Sequence, residues 1–392
     1  MYTRLMVNVL KTFFSRRPKR AYFDYCSITP TDPRVFMEMR KYYSSSYTNP
    51  SSLHASGVLT KKALDAARER IAKTMSAHAD EVVMTASGTE ANNLALFGFV
   101  EALRAKGREY TSMHIVASAI EHASVMQPLK ILEQRGVRVS FVGVNDHGVV
   151  DADRFADALT TETILVSVMM VNNETGTTQQ IKELSKIIKR KSPDALFHTD
   201  ASQGFLYNEI NVLSLGVHML TLDGHKVYGP KGVGMLWVKR GIQLSPVIHG
   251  GGQESGLRSG TEALPQIAGF AKALEIAVSE RNKETARIAR LRELFASYLK
   301  GIRPDTIWNG VDALSPHIIN ISFPGADHEF LMFKLDAAGI EVSTKSSCLR
   351  DEEESYVLKA MGKQGGSIRI SFGRFTVRRD VERLCLALKA FV

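Results

Sequence analysis

A chain of 392 residues, 44% hydrophobic and 23% charged, is long for one core and points to a large α/β unit with a smaller one appended. Its net charge of +9 does not mark a nucleic-acid-binding fold: six cations (Arg4, Lys11, Arg16, Arg17, Lys19 and Arg20) lie in residues 1–20, which carry no acid, leaving +3 for the rest. Three scattered cysteines, Cys26, Cys348 and Cys385, suit neither a disulfide framework nor a zinc site, and no apolar run approaches the ~20 residues that span a bilayer, so secreted disulfide scaffolds and membrane proteins are set aside.

Residues 1–20 read as a flexible basic leader. Arginine without acid fits an organellar transit peptide, but serine is sparse and a frayed basic tail is the preferred reading. The expected location is therefore cytoplasmic, with an organellar matrix as the alternative if the leader is a transit peptide.

From about Glu81 to Arg240, the apolar runs "EVVMTAS", "MHIVASAI", "RVSFVGV", "TILVSVMMVNNE", "ALFHTDAS", "HMLTLDGHK" and "VGMLWVKR" alternate with helical patterns. Runs without strict alternation belong to strands covered on both faces, so a mainly parallel sheet flanked by helices is predicted. Leu264–Gly301 has helical spacing and predicts a long linking helix. Beyond it, "HIINISFPG", "DHEFLMFKLDAAG", "IEVST", "ESYVLKAMG", "SIRISFG" and "VRRDVERLCLALKAF" predict a compact α+β region, with Cys385 on the apolar stripe of the last helix. The expected division is a leader over 1–20, a large unit over 21–265 whose first residues pack with the small one, and a linking helix with the small unit over 266–392.

In such sheets ligands bind at the carboxyl ends of the strands. After "EVVMTAS" comes "SGTEANNLALFG", where Ser87 and Glu90 have capping-box spacing and the free N–H groups of the helix start suit a phosphate. Other strand ends carry His122, Asn172 to Glu174, Asp200 and Gln203, and His225 with Lys226. Taken singly, each such group is commonly structural. Together they supply one chemistry: a lysine for a Schiff base, an aspartate for a pyridinium nitrogen, an imidazole to stack on a ring and a helix start for a phosphate. Pyridoxal 5'-phosphate (PLP) is the cofactor expected. Cys348 stands apart, between Thr344 to Ser347 and the acids Asp351 to Glu354, in a solvated setting where a nearby cation would make a thiol reactive.

The ordered stretches "NPSSLHASG", "SGTEANNLAL", "EHASV", "VNNETGTTQ", "FHTDASQ", "GHKVYGPKGVG", "HGGGQESGLRSGTE", "SYVLKAMG" and "SIRISFGRFT" resemble the cysteine desulfurase family, within the class-V aminotransferase group of fold type I PLP enzymes. The resemblance runs over nearly the whole chain. It implies a large PLP-binding domain with a mainly parallel mixed sheet and a smaller α+β C-terminal domain. It also implies that Lys226 binds PLP and moves the substrate Cα proton, that Asp200 pairs with the pyridinium, that His122 stacks on the ring and that Asn173 and Gln203 contact the ring oxygen. Gly88, Thr89, His225 and, across a homodimer interface, Thr261 would surround the phosphate. Arg369, Asn173 and His54 would bind substrate, and Cys348 would accept its sulfur.

The activity implied is removal of sulfur from L-cysteine, giving L-alanine and a Cys348 persulfide passed to an iron–sulfur scaffold or a tRNA-thiolation relay. Neither a membrane nor direct nucleic acid is expected as a partner. A selenocysteine or cysteine-sulfinate lyase, another class-V aminotransferase-like enzyme, or a non-catalytic partner protein are the alternatives. One departure bears on the cofactor site: the family's usual serine three positions before the lysine is Asp223 here. An acid beside a phosphate dianion is costly unless protonated, turned away or paired. The segment after Cys348 is also short and acidic, which leaves the sulfur acceptor open.

Overall fold

The computed structural model describes residues 20–44, 47–310, 314–344 and 355–392. Its first strand, β1 (Ala21–Tyr22), is followed by helices α1 (Pro33–Ser44) and α2 (Ala55–Lys73). All seven apolar runs between Glu81 and Arg240 then form strands: β2 (Val82–Thr85), β3 (His114–Ser118), β4 (Arg138–Val142), β5 (Thr163–Ser167), β6 (Leu196–Asp200), β7 (Met219–Asp223) and β8 (Gly234–Val238). Between them run α3 (Gly88–Ala105), α4 (Ala123–Gln134), α5 (Ala152–Ala158), α6 (Ile181–Lys191) and the short α7 (Val212–Leu215).

The strands make one sheet in the order β2-β8-β7-β6-β5-β3-β4, with β8 alone antiparallel to its neighbours. Alternate residues of each central strand enter opposite cores. Met235 and Trp237 of β8 join a layer built with α1, α2, α6 and the first half of the linking helix, whereas Leu236 and Val238 join one built with α3 and α4. With helices on both faces no strand position needs a polar side chain for water, and the runs lose the alternation of a one-sided sheet.

The linking helix α8 covers Leu264–Ile302, 39 residues, or about 58 Å at 1.5 Å per residue. Leu264 to Ala277 pack on the large sheet, while Ile288, Leu291, Phe295 and Leu299 enter a second core. That core holds β9 (Ile307–Trp308), β10 (Ile318–Ser322), α9 (His328–Ala337), β11 (Ile340–Glu341), β12 (Ile368–Ser371) and α11 (Arg378–Phe391) around two small sheets, β12-β10-β9 and β1-β11, while α10 (Tyr356–Ala360) packs through Val357 and Leu358 into the core on the large sheet. The parallel pairing of Ala21 and Tyr22 with Ile340 and Glu341 ties the first described residues to this C-terminal part. Cys385 is buried in its core, and Cys26 and Cys385 are both free thiols. Among the described residues no helix is long and apolar enough to cross a membrane.

Candidate active site

The carboxyl ends of β2, β3, β5, β6 and β7 face one cleft, and β12 of the C-terminal core closes it. The cleft encloses about 190 Å³ and is lined by Gly88, Thr89, His122, Asn173, Asp200, Gln203, Asp223, His225, Lys226 and Arg369, together with Cys26, Ser27 and Ser202. Ten of the thirteen residues expected at the site are thus brought together. His54 and Thr261 are not among them: both are exposed, and His54 caps α2 by accepting the Gly57 N–H at 3.1 Å through Nδ1. Cys348 lies outside the described residues.

Lys226 ends a tight turn after β7. Gly224 is required there, because a Cβ would meet the Pro230 carbonyl oxygen at 2.8 Å and Val233 Cγ1 at 2.7 Å. Two residues past the lysine, Tyr228 sits at φ 61°, a left-handed conformation that costs a non-glycine residue roughly 1–3 kcal/mol. Its N–H donates to Thr29 Oγ1 at 2.8 Å, its hydroxyl accepts the Arg374 N–H at 2.6 Å, and the Arg374 guanidinium lies 4.4 Å from the ring centroid. The turn is clamped, and it holds the lysine amine inside the cleft. There Nζ donates to the backbone oxygens of Cys26 at 2.6 Å and Ser27 at 2.9 Å, and burial pushes its pKa down. A lysine so desolvated keeps a larger neutral, nucleophilic fraction than one in water.

Asp200, at the end of β6, accepts from Asn92 Nδ2 at 2.8 Å and from the Ser202 N–H at 3.0 Å. His122 caps α4, its Nδ1 accepting the Ser124 N–H at 3.1 Å. In the neutral ring this leaves the proton on Nε2, and burial favours that neutral ring by lowering the pKa. Arg369 donates through Nη1 to the Asn173 carbonyl at 3.0 Å and through Nη2 to Asp24 Oδ1 and Ser27 Oγ, both at 2.8 Å. Its Nε is buried and has no partner among the described residues. An anion is what such a spare charged donor suits.

The start of α3 corrects the sequence reading. Ser87 caps it as expected, accepting the Glu90 N–H at 3.2 Å, but Glu90 does not complete the capping box: it accepts the Ala86 N–H at 2.9 Å and pairs with Arg258. The first N–H of the helix is not free either. Gly88 N donates to Asp223 Oδ2 at 2.7 Å, and Asp223 Oδ1 lies 2.5 Å from His225 Nδ1 and accepts the His225 N–H at 3.2 Å. Burial alone would raise the Asp223 pKa, but His225, the Gly88 N–H and Lys226 outweigh it and hold the carboxyl ionised. An anion of the chain itself therefore stands where the helix start was expected to await one.

Sequence reasoning missed several groups. Asn92, within the quoted stretch "SGTEANNLAL" but given no role there, lies fully buried on α3 with Nδ2 bridging Asp200 and Ser124. Glu121, next to His122, is fully buried. It accepts from the Ser118 hydroxyl and, at 2.8 Å, from the Met169 N–H, so it joins the ends of β3 and β5, and burial pushes its pKa up to about 8. Asp24 and Ser27 precede the large sheet, and no role was expected of them.

The family described as Aminotransferase class-V matches residues 21–384. The chain is similar to "Cysteine desulfurase IscS" of Dictyoglomus turgidum, with 40% identity covering 93% of this chain and 92% of that protein. It is also similar to "Cysteine desulfurase, mitosomal" of Trachipleistophora hominis, with 38% identity covering 94% of this chain and 85% of that protein. Among solved structures, a "NifS-like protein" superposes with a TM-score of 0.88 at 33% identity, covering 95% of this chain and 98% of the other.

Proposed function

Because this chain belongs to the cysteine desulfurase family, within the class-V aminotransferases, we propose that it removes the sulfur of L-cysteine with the help of bound PLP and leaves L-alanine. The observation that carries the reading is the convergence of Lys226, Asp200, His122 and Arg369 on one cleft. These are an amine, an acceptor for a ring N–H, an imidazole and a carboxylate binder, four groups from elements that share no local sequence.

Most of the cleft fits that cofactor. Lys226 would hold it covalently, Asp200 would accept from its ring nitrogen, and His122, Asn173 and Gln203 would line its ring. Behind Asp200, the buried Asn92 Nδ2 donates to its Oδ2 at 2.8 Å and fixes the carboxylate that would meet the ring nitrogen. When bound, PLP supplies an electron sink for charge developing at the substrate Cα. Lys226, whose pKa burial lowers, takes and returns the Cα proton. Arg369 holds the α-carboxylate through its spare Nε, and the packed turn at Tyr228 keeps the amine in place. Cys348, outside the described residues, is proposed as the thiol that accepts sulfur: its thiolate forms the S–S bond as the substrate Cβ–S bond breaks, and the carbon left behind is protonated to alanine. A homodimer is proposed as well: the resemblance assigns Thr261 to the phosphate of another copy, and Thr261 is exposed and outside the lining of its own cleft; the exposed Phe36, Met37, Leu53 and Leu59 on and around α1 and α2 offer an apolar surface for it.

The test is product analysis. PLP-loaded protein given L-cysteine and a reductant should release alanine and sulfide in equal amounts. Lys226→Ala should release neither, and Cys348→Ala should lose both while still carrying PLP. A PLP-loaded wild type that makes no alanine would refute the reading.

A further inference from the structure

The carboxylate of Asp223 occupies the corner of the cleft that the cofactor's phosphate needs. Three facts define that corner. The N–H of Gly88, the first residue of α3, points at Asp223 Oδ2 from 2.7 Å. The imidazole and the N–H of His225 both address Oδ1. A Cβ added at Gly88 would stand 3.1 Å from both Asp223 Cβ and Oδ2 and 3.5 Å from Ser202 Oγ, so the glycine leaves just the room that the carboxylate fills. Each donor here is one that a phosphate oxygen would seek at a helix start, and each is already satisfied by a group with the phosphate's own sign.

We propose that Asp223 is an internal stand-in for the phosphate, which engages the donors of that corner and must be displaced before the phosphate can take them, so that this chain binds PLP more weakly than its other contacts allow. The proposal rests on the PLP reading above. Two consequences follow from elementary electrostatics. A carboxylate left beside a phosphate dianion repels it, and one turned aside gives up the His225 contact and the Gly88 N–H. Either way the phosphate contributes less to affinity than in a corner whose donors are free. The chain thus distinguishes PLP poorly from pyridoxal, which has the same ring and aldehyde without the phosphate. Asp223 acts as a specificity-determining residue for the cofactor and takes no proton in the reaction.

The experiment is a pair of binding titrations on the full-length apo-protein, following the imine absorbance for PLP and for pyridoxal, with wild type, Asp223→Asn and Asp223→Ser. Asparagine keeps an oxygen to accept the Gly88 N–H and removes the charge, so it guards against a variant that merely fails to fold, and melting of each apo-protein checks that it is folded. Both variants are expected to bind PLP roughly tenfold tighter or more, the scale of removing one charge a few ångströms from another, while pyridoxal affinity changes less than about twofold. PLP affinity that is unchanged or weaker in both variants, or PLP and pyridoxal affinities that shift in parallel, would overturn the proposal while leaving the cofactor reading intact. If wild type and variants all ignore PLP, the cofactor reading falls and takes the proposal with it.

Discussion

The cleft has two corners built for anions, and they are furnished in opposite ways. At one, Arg369 faces Asp24; at the other, the start of α3 and His225 face Asp223. Both place an acid of the chain against a positive group, yet their consequences differ because the donors differ in number. A guanidinium carries five N–H bonds in a fixed fork. Asp24, Ser27 and the Asn173 carbonyl engage only Nη1 and Nη2, so the partners aim the group and leave Nε to bind a ligand. A backbone N–H is a single donor, and Asp223 already takes the one that Gly88 offers. The same pairing positions a binding group in one corner and blocks it in the other.

The comparison can be broken most severely at Arg369. Arg369 is buried and Asp24 partly so, the aspartate side chain being 20% exposed; removing one partner of a fully buried ion pair costs about 3–5 kcal/mol, and the exposure of Asp24 makes the cost here smaller. Arg369→Leu should therefore lower the melting temperature and abolish alanine formation, and retention of wild-type stability would show that Asp24 is solvated instead. A smaller effect is expected when only the orientation of the guanidinium is loosened. Asp24→Asn should raise KM for L-cysteine roughly tenfold with PLP affinity unchanged, the value of one charge-assisted hydrogen bond. Together with Asp223→Asn, which is expected to change PLP affinity and spare KM, it separates the two corners; a shift in PLP affinity for Asp24→Asn would merge them.

The smallest change should come from Glu121, which joins the ends of β3 and β5. Its folded pKa of about 8 lies above the ordinary carboxyl value because burial disfavours the charged form. The folded protein thus holds a proton that the unfolded chain releases near pH 4.5. Stability from this group is fully present below that pH and is lost as pH rises towards 8, on the order of a few kcal/mol across the window. Glu121→Gln mimics the protonated acid, so near neutrality it should melt within a few degrees of wild type, and its melting temperature should fall less between pH 5 and 8. Parallel melting curves for the two proteins over that range would show that Glu121 does not titrate there.

The large sheet was legible residue by residue in the sequence. All seven strands and the linking helix, predicted over Leu264–Gly301 and found over Leu264–Ile302, follow from local rules: strands covered on both faces read as unbroken apolar runs, and helices read by their spacing. The strand-end groups of the cleft were legible too, since topology sends every parallel strand's carboxyl end to one edge. What stayed hidden were partners that meet across the chain. Asp24 and Arg369 are separated by 345 positions, and Asn92 and Asp200 by 108. The capping box failed for the same reason, because Glu90 answers to Arg258 on a distant loop as well as to its own helix.

By itself, then, the sequence determined the layers, the strand ends and the identities of the groups gathered there, because short-range periodicity and the direction of parallel strands suffice for that. Only the tertiary structure decided which of those groups are already engaged. The family resemblance put an acid near a phosphate site and left it free to be protonated, turned away or paired. The folded chain pairs it with Gly88 and His225, because a buried carboxylate must find donors and those are the ones within reach.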